Sequence, residues 1–533
     1  MRVTALCLAI GACGTVVATA TAATALWALL SFIPLVNLVA IPSLIGSVLL
    51  LVHILPVAAY LLLAQTDAPK HSGSLFLPFS PDQPSTPKPQ AYTLLTVPPA
   101  RHLGLLVAVI HYTSYVVTTA PSILGAFLRT IVRLWNTPDP DTARRSSWLT
   151  PWWERFAVFG IPYQPPRHGR VYRLDVFKAQ EVVAASVPKP MSGDDLSPAI
   201  SPVSSCATLP DVDRGSRIDT DEFPTTVWSD QPQGSPMDDI PAPEEGLKPV
   251  VIFLYDVGMM GPIRPARWMF SLVGLKLAEQ GYVTVVPDIT MYPWGQIEDQ
   301  VADVRSVVTW VKKEARAFGG DPTNIYLCGH GLGAHLGMYT VAQDAVVHSR
   351  DRLEIHNAAS HWQHVGSSDQ PQHSRDIPNG VRSLRIYAPE VELPHIRGVI
   401  MLSPVADVIK QVRHEAKCWL EHVSPLRRAL GSSQTKCMRH SLGHILFAAR
   451  NIVELDWMPD HVLVIHGGND QLVPVWQSVW LADLLNGLDV PTAIRQHARL
   501  AHFDVVTGLM SGLESKSTAW LLHDIRAFID GAN

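Results

Sequence analysis

The chain has 533 residues, 47% of them hydrophobic and only 17% charged, with a formal net charge of −5. This is long enough for a full α/β domain and too apolar to be that alone, so part of it is expected in a membrane. The absence of a basic tract argues against a nucleic-acid partner, and the six cysteines (Cys7, Cys13, Cys206, Cys328, Cys418, Cys437) have neither metal-type spacing nor the look of a disulfide framework.

Residues 3–66 contain no Asp, Glu, Lys or Arg. A spanning helix needs only about 20 apolar residues, so the run predicts two, near 5–30 and 38–64, with a hinge at 31–37 around Pro34. A signal peptide competes for the first of these, with Arg2 as its charged region and small residues at 19–25; the apolar run, however, passes straight through that cleavage site. A Pro/Ser-rich loop, 67–100, leads to a third uncharged run bracketed by Arg101 and Arg129, predicting a third helix near 103–128. Residues 1–135 thus form a membrane region. Arg129, Arg133, Arg144 and Arg145 crowd its exit, which places the rest of the chain in the cytosol. Within the juxtamembrane segment 136–159, Trp148, Trp152, Phe156 and Phe159 recur at helical spacing, predicting an amphipathic belt at headgroup level or a segment docked on the globular domain.

Residues 160–533 read as one α/β domain with two insertions. A strand within 169–178 is followed by 179–248, rich in Pro, Ser and Asp and too poor in large apolar residues to order itself. Strand 250–255 resumes the pattern, and a helix carrying Phe270, Val273 and Leu277 ends at Gly281. After strand 282–286, Ile297, Val301, Val304, Val308 and Val311 make the apolar stripe of a helix that covers a sheet. Strand 324–328 leads to a glycine-rich turn and a helix from Leu332. The polar stretch 348–393 is expected to be a surface loop. Strand 398–402, the stretch 409–446, strand 461–466, helix 474–485, a short strand at 493–497 and a closing helix from about 515 complete the chain. This alternation argues a mostly parallel sheet covered by helices on both faces.

The turn after strand 324–328 reads Gly329-His330-Gly331-Leu332-Gly333. Strand, tight turn and helix with glycines at these places fit the G-x-S-x-G nucleophile elbow, except that the serine position is Gly331. Glycine adopts the elbow's strained dihedrals almost freely, so an elbow released from chemistry loses little by the replacement. Taken with KPVVIFLYDVGMMGP, PDITMYP, GGDP before the elbow strand, GAH after it and HGGND near the C-terminus, the chain resembles α/β-hydrolases of the hormone-sensitive-lipase type. Among these it most resembles the membrane-bound prenylcysteine methylesterases.

That resemblance implies an α/β-hydrolase fold and a place for each catalytic part. Asp470 would orient the imidazole of His502, and His502 would act as general base. The oxyanion hole would use the backbone N–H of Leu332 and one from the loop carrying Val257 and Gly258. In that loop the family's histidine and first glycines are replaced by Tyr255, Asp256 and Val257, and an inward-pointing Asp256 would oppose a developing oxyanion. Cys328 and Ser403 are the alternative nucleophiles, the first expected beneath the turn and the second on another strand without an elbow. His330 and His335, five residues apart on a helix, do not make a metal pair, since such pairs favour i, i+4. No metal or cofactor is expected. Two functional classes follow. One is a membrane-tethered family member with lost catalysis that binds a lipid or prenylated ligand or docks proteins, in the endoplasmic reticulum or Golgi by resemblance. The other is a carboxylic-ester hydrolase with an unorthodox nucleophile; the first is favoured.

Overall fold

The computed structural model describes residues 2–33, 36–63, 121, 124–125, 128, 156–167, 170–180, 246–256, 266–292, 295–363, 377–417, 426–430, 434–510 and 516–531. Two N-terminal helices, α1 (Arg2–Leu30) and α2 (Asn37–Leu63), pack against each other. Among the described residues no helix is long and apolar enough to cross a membrane, so the spanning helices expected near 5–30 and 38–64 are not supported there. The side chains of 1–13 and 55–63 lie outside the described residues, as do most of 103–128 and nearly all of insertion 179–248.

The globular part is an eight-stranded sheet ordered β1-β2-β4-β3-β5-β6-β7-β8. Its strands are β1 (Ala157–Pro162), β2 (Arg173–Phe177), β3 (Lys248–Leu254), β4 (Val283–Pro287), β5 (Gly320–His330), β6 (Gly398–Leu402), β7 (His461–Gly467) and β8 (Thr492–His497). Only β1 with β2 and β2 with β4 pair antiparallel; every later pairing is parallel. This is the mostly parallel, doubly covered sheet of an α/β-hydrolase.

The pleat separates two cores, because successive side chains of a strand point to opposite faces. Val250, Ile252 and Leu254 of β3 face one core, which holds α4 (Ile297–Glu314) and the buried face of α5 (Leu332–Gln363). Val251, Phe253 and Tyr255 face the other, against α3 (Ser271–Ala278), α12 (Asp504–Met510) and α13 (Lys516–Asp530). The valine stripe of α4 is fully buried, and each such side chain is worth roughly 1.5–3 kcal/mol of apolar transfer.

Between the two, α6 (Asn379–Arg382), α7 (Val408–Lys417), α8 (Leu426–Leu430), α9 (Gln434–Arg439) and α10 (Leu442–Ala449) follow, and α11 (Trp476–Asn486) comes after β7. The described part of 409–446 is built of short helices, of which α10 packs on α5 and α11. Two expectations need correction. The polar stretch from 348 is not a loop at its start, because α5 runs on to Gln363 with its outer residues exposed; polarity there marks a solvated helix face rather than an end. Phe159, placed on a helical belt, instead lies on β1 with its ring edge-on to Phe177 at 5.8 Å.

The family-like motifs serve the fold. In PDITMYP, Asp288 pairs with Arg267, which also reaches Asp175 Oδ1 at 2.8 Å, and Thr290 N–H donates to Asp303 Oδ2 at 2.7 Å. In GGDP, Asp321 Oδ1 accepts both the N–H and the hydroxyl of Thr323.

Candidate active site

The elbow is built at the C-terminal end of β5, where Gly331 separates the strand from α5 and takes φ +55. Its N–H donates to Leu402 O of neighbouring β6 at 2.9 Å, which fixes the turn against the sheet. A residue with a Cβ in this left-handed region costs about 1–3 kcal/mol, so glycine relieves strain that a nucleophile would impose. Gly333 is required for a different reason: a Cβ there would stand 2.2 Å from Leu254 O and 2.5 Å from Tyr255 O, both backbone atoms. Close packing of α5 on β3 permits no side chain. Leu332 opens α5, so its N–H stands at a helix N-terminus without an intrahelical acceptor.

Three chain segments converge on the turn. Asp470 follows β7, and its side chain is fully buried. Its Oδ1 accepts from the N–H groups of Leu472 (2.8 Å) and Val473 (2.9 Å). The other oxygen, Oδ2, accepts from His502 Nδ1 at 2.7 Å and lies 3.3 Å from His466 Nε2. His502 lies between β8 and α12, nearly buried. Its backbone O accepts from His330 Nε2 at 3.0 Å, and the two imidazoles lie 4.6 Å apart at an interplanar angle of 49°.

The third segment is Asp256, just past β3. A Cβ built on Gly331 would lie 2.7 Å from Asp256 Oδ2 and 3.3 Å from His502 Nε2. The place of a serine side chain is therefore bordered both by the imidazole a serine would need and by a carboxylate. One ligand-capable atom from each of Asp256, His330 and His502 lies within 4.8 Å of those of the other two.

Electrostatics follow this geometry. Burial raises the Asp470 carboxyl, but the charge of His502 and hydrogen bonds from His466 and His502 outweigh it and leave the group below its ordinary value. Burial lowers His502, and the Asp470 and Asp256 carboxylates more than reverse this, so its net shift is upward. Burial, aided by the charge of His502, drives His330 down to about 3; it is a neutral imidazole.

The sequence-predicted residues Gly331, Leu332, Asp470 and His502 thus fall around one turn, whereas Val257 and Gly258 lie outside the described residues. Cys328 is buried, and burial pushes its thiol up to about 12. Ser403, at φ +47, is fully buried, and its hydroxyl has no partner among the described residues. His335 turns away from His330, with Nδ1 2.7 Å from Val405 O and Nε2 2.9 Å from His440 O. The sequence reading missed His330 as the support of His502, and His466 as a second neighbour of Asp470. A histidine flanking the elbow glycine was the one visible signal for the former.

A family model described as BD-FAE matches residues 239–485, a span that includes Gly331 and Asp470. Probable isoprenylcysteine alpha-carbonyl methylesterase ICMEL2 of Arabidopsis thaliana is 31% identical over 183 residues, covering 31% of this chain and 43% of that protein. Isoprenylcysteine alpha-carbonyl methylesterase ICME of the same plant is 36% identical over 119 residues, covering 22% and 27%. The chain is an α/β-hydrolase of the esterase type. This esterase-type chain spans less than half the length of the curated relatives it matches. Among solved structures, esterase B from Lactobacillus rhamnosis is 13% identical with a TM-score of 0.43, covering 78% of this chain and 95% of that one; so low a likeness carries no argument.

Proposed function

We propose that this is a membrane-anchored esterase-type α/β-hydrolase in which the serine route is lost and the site around the elbow binds its ligand instead of cleaving it. The observation that carries this is the Asp256 carboxylate oxygen 2.7 Å from the point where a Gly331 side chain would begin. An acyl-transfer transition state develops negative charge beside the elbow, and a carboxylate at that point opposes it. The names of the related proteins suggest the ligand class, a prenylcysteine methyl ester or another lipid with a polar ester head. Anchoring rests on the sequence of residues 3–66, which holds no Asp, Glu, Lys or Arg. The arginines at 129–145 support a cytosolic hydrolase domain, and an endomembrane site, endoplasmic reticulum or Golgi, follows the resemblance alone.

The intact Asp470–His502 pair favours a second reading, slow ester hydrolysis by a water that His502 activates. Hydrolysis of short p-nitrophenyl esters by the purified full chain and by His502→Ala separates the two. The binding reading expects equal background rates, together with saturable binding of a fluorescent prenylcysteine methyl ester. Turnover that depends on His502 would establish the hydrolase. Retention of the chain in membranes after alkaline carbonate extraction is expected, and release into the supernatant would refute anchoring.

A further inference from the structure

We propose that Asp256, His330 and His502 form a binding site for a divalent transition cation of the zinc class, in the space that the elbow serine would occupy. One ligand atom from each residue lies within 4.8 Å of the other two. Some point therefore lies within about 2.8 Å of all three, against about 2.0–2.2 Å in a zinc site. Closing that difference takes side-chain shifts of less than an ångström.

The hydrogen bonds around the cluster are those that metal-binding histidines require. A ligating imidazole donates its other N–H to a carboxylate or a backbone carbonyl, which fixes the tautomer and aims the lone pair. His502 gives Nδ1 to Asp470 Oδ2 at 2.7 Å, and Asp470 is itself held by the N–H groups of Leu472 and Val473. His330 gives Nε2 to the backbone O of His502 at 3.0 Å. With both imidazoles in the neutral form that a metal ligand requires, each ring keeps one nitrogen without a proton, and Nε2 of His502 is 3.3 Å from the Cβ point of Gly331. The same point is 2.7 Å from Asp256 Oδ2. Having no side chain, Gly331 leaves the space between Asp256 and His502 open.

Two imidazoles and one carboxylate are a donor set for zinc or a neighbouring transition ion rather than for magnesium or calcium, which take mainly oxygen ligands. Three protein ligands leave a fourth position for water or a ligand oxygen, as in catalytic-type rather than structural zinc sites. This site goes beyond the proposed binding role and does not depend on it. A cation could sit here whether or not an ester is cleaved.

The test uses the full chain in detergent, tag removed and stripped with chelator, titrated with zinc alone against a chromophoric competitor. About one zinc per chain is expected. Asp470→Asn should weaken binding by about 10- to 100-fold through the misdirected His502 ring. Asp256→Asn and His330→Gln, which each remove a ligand, should weaken it more. Cobalt supplied in place of zinc should give the intense visible bands of a four-coordinate site in the wild-type chain, a readout that needs no variant to fold. Absence of stoichiometric zinc would overturn the proposal. So would zinc binding unchanged in folded Asp256→Asn and His330→Gln chains, or a cobalt spectrum of the hexaaquo type. None of these outcomes bears on ester hydrolysis, which the His502→Ala comparison reads separately.

Discussion

Asp256 Oδ2 lies 2.7 Å from the point at which a Cβ on Gly331 would stand. The two residues are complementary: the carboxylate lies against the space that glycine leaves open, and glycine takes the left-handed backbone at φ +55 without strain. Restoring a serine therefore perturbs both at once.

Gly331→Ser is expected to lower stability by about 1–3 kcal/mol from backbone strain alone, with a further loss from crowding Asp256. Combining it with Asp256→Gly should recover the crowding part and leave the strain. A double-mutant cycle on denaturant unfolding checks this. Contacting residues couple by about 0.5–3 kcal/mol, and strict additivity would mean that Asp256 and Gly331 do not meet.

Gly331→Ser should also bring a hydroxyl near His502 Nε2, yet ester hydrolysis should remain weak while Asp256 stands beside it. Loss of one oxyanion donor alone costs on the order of 100- to 1,000-fold in turnover. Rates for Gly331→Ser should rise when Asp256→Gly is added and fall to background with His502→Ala. Indifference to His502 would mean that Asp470 and His502 do not act as a triad remnant.

Gly333→Ala tests the packing of the elbow helix independently of any chemistry. The added Cβ would meet Leu254 O at 2.2 Å, a backbone atom that can move only with β3. Overpacking of this kind typically costs about 1–3 kcal/mol or more. A melting temperature equal to wild type would show that α5 and β3 are not so closely apposed.

His335 gives a pH dependence whose sign is fixed by its burial. Burial lowers its folded pKa to about 4, so the unfolded chain binds the extra proton between about pH 4 and 6.5 and stability falls as pH drops through that window. The contribution is at most about 3 kcal/mol. His335→Gln should flatten the loss, measured by urea unfolding at pH 4.5 and 7; an unchanged slope would place the proton elsewhere.

Much of this was legible in the chain. The elbow could be placed to the residue because apolar Ile325, Tyr326, Leu327 and Cys328 are followed at once by three alternating glycines, a local signal that tertiary context does not override. Asp470 and His502 could be located by their order after late strands, which is a property of the chain's topology. What could not be read was direction. Asp256 and Gly331 are 75 positions apart, and no periodicity tells whether a carboxylate at the end of β3 points outward or into the turn. Nor did His330 reveal that it would hold the His502 backbone, since that bond joins segments 172 positions apart. Phe159 and the start of the 348–393 stretch were misread for local reasons. Aromatic spacing over four residues suits a helix as well as a short edge strand, and a polar run suits an exposed helix face as well as a loop.

The most direct measurement is intact-mass analysis of the full chain after exposure to a fluorophosphonate, which phosphonylates serines activated by a base within hydrogen-bonding reach, with loss of fluoride. With Gly331 at the elbow and Asp256 beside it, no adduct is expected. A stoichiometric adduct mapped to a serine within reach of His502, with Ser403 the first to examine, would contradict the loss of the serine route.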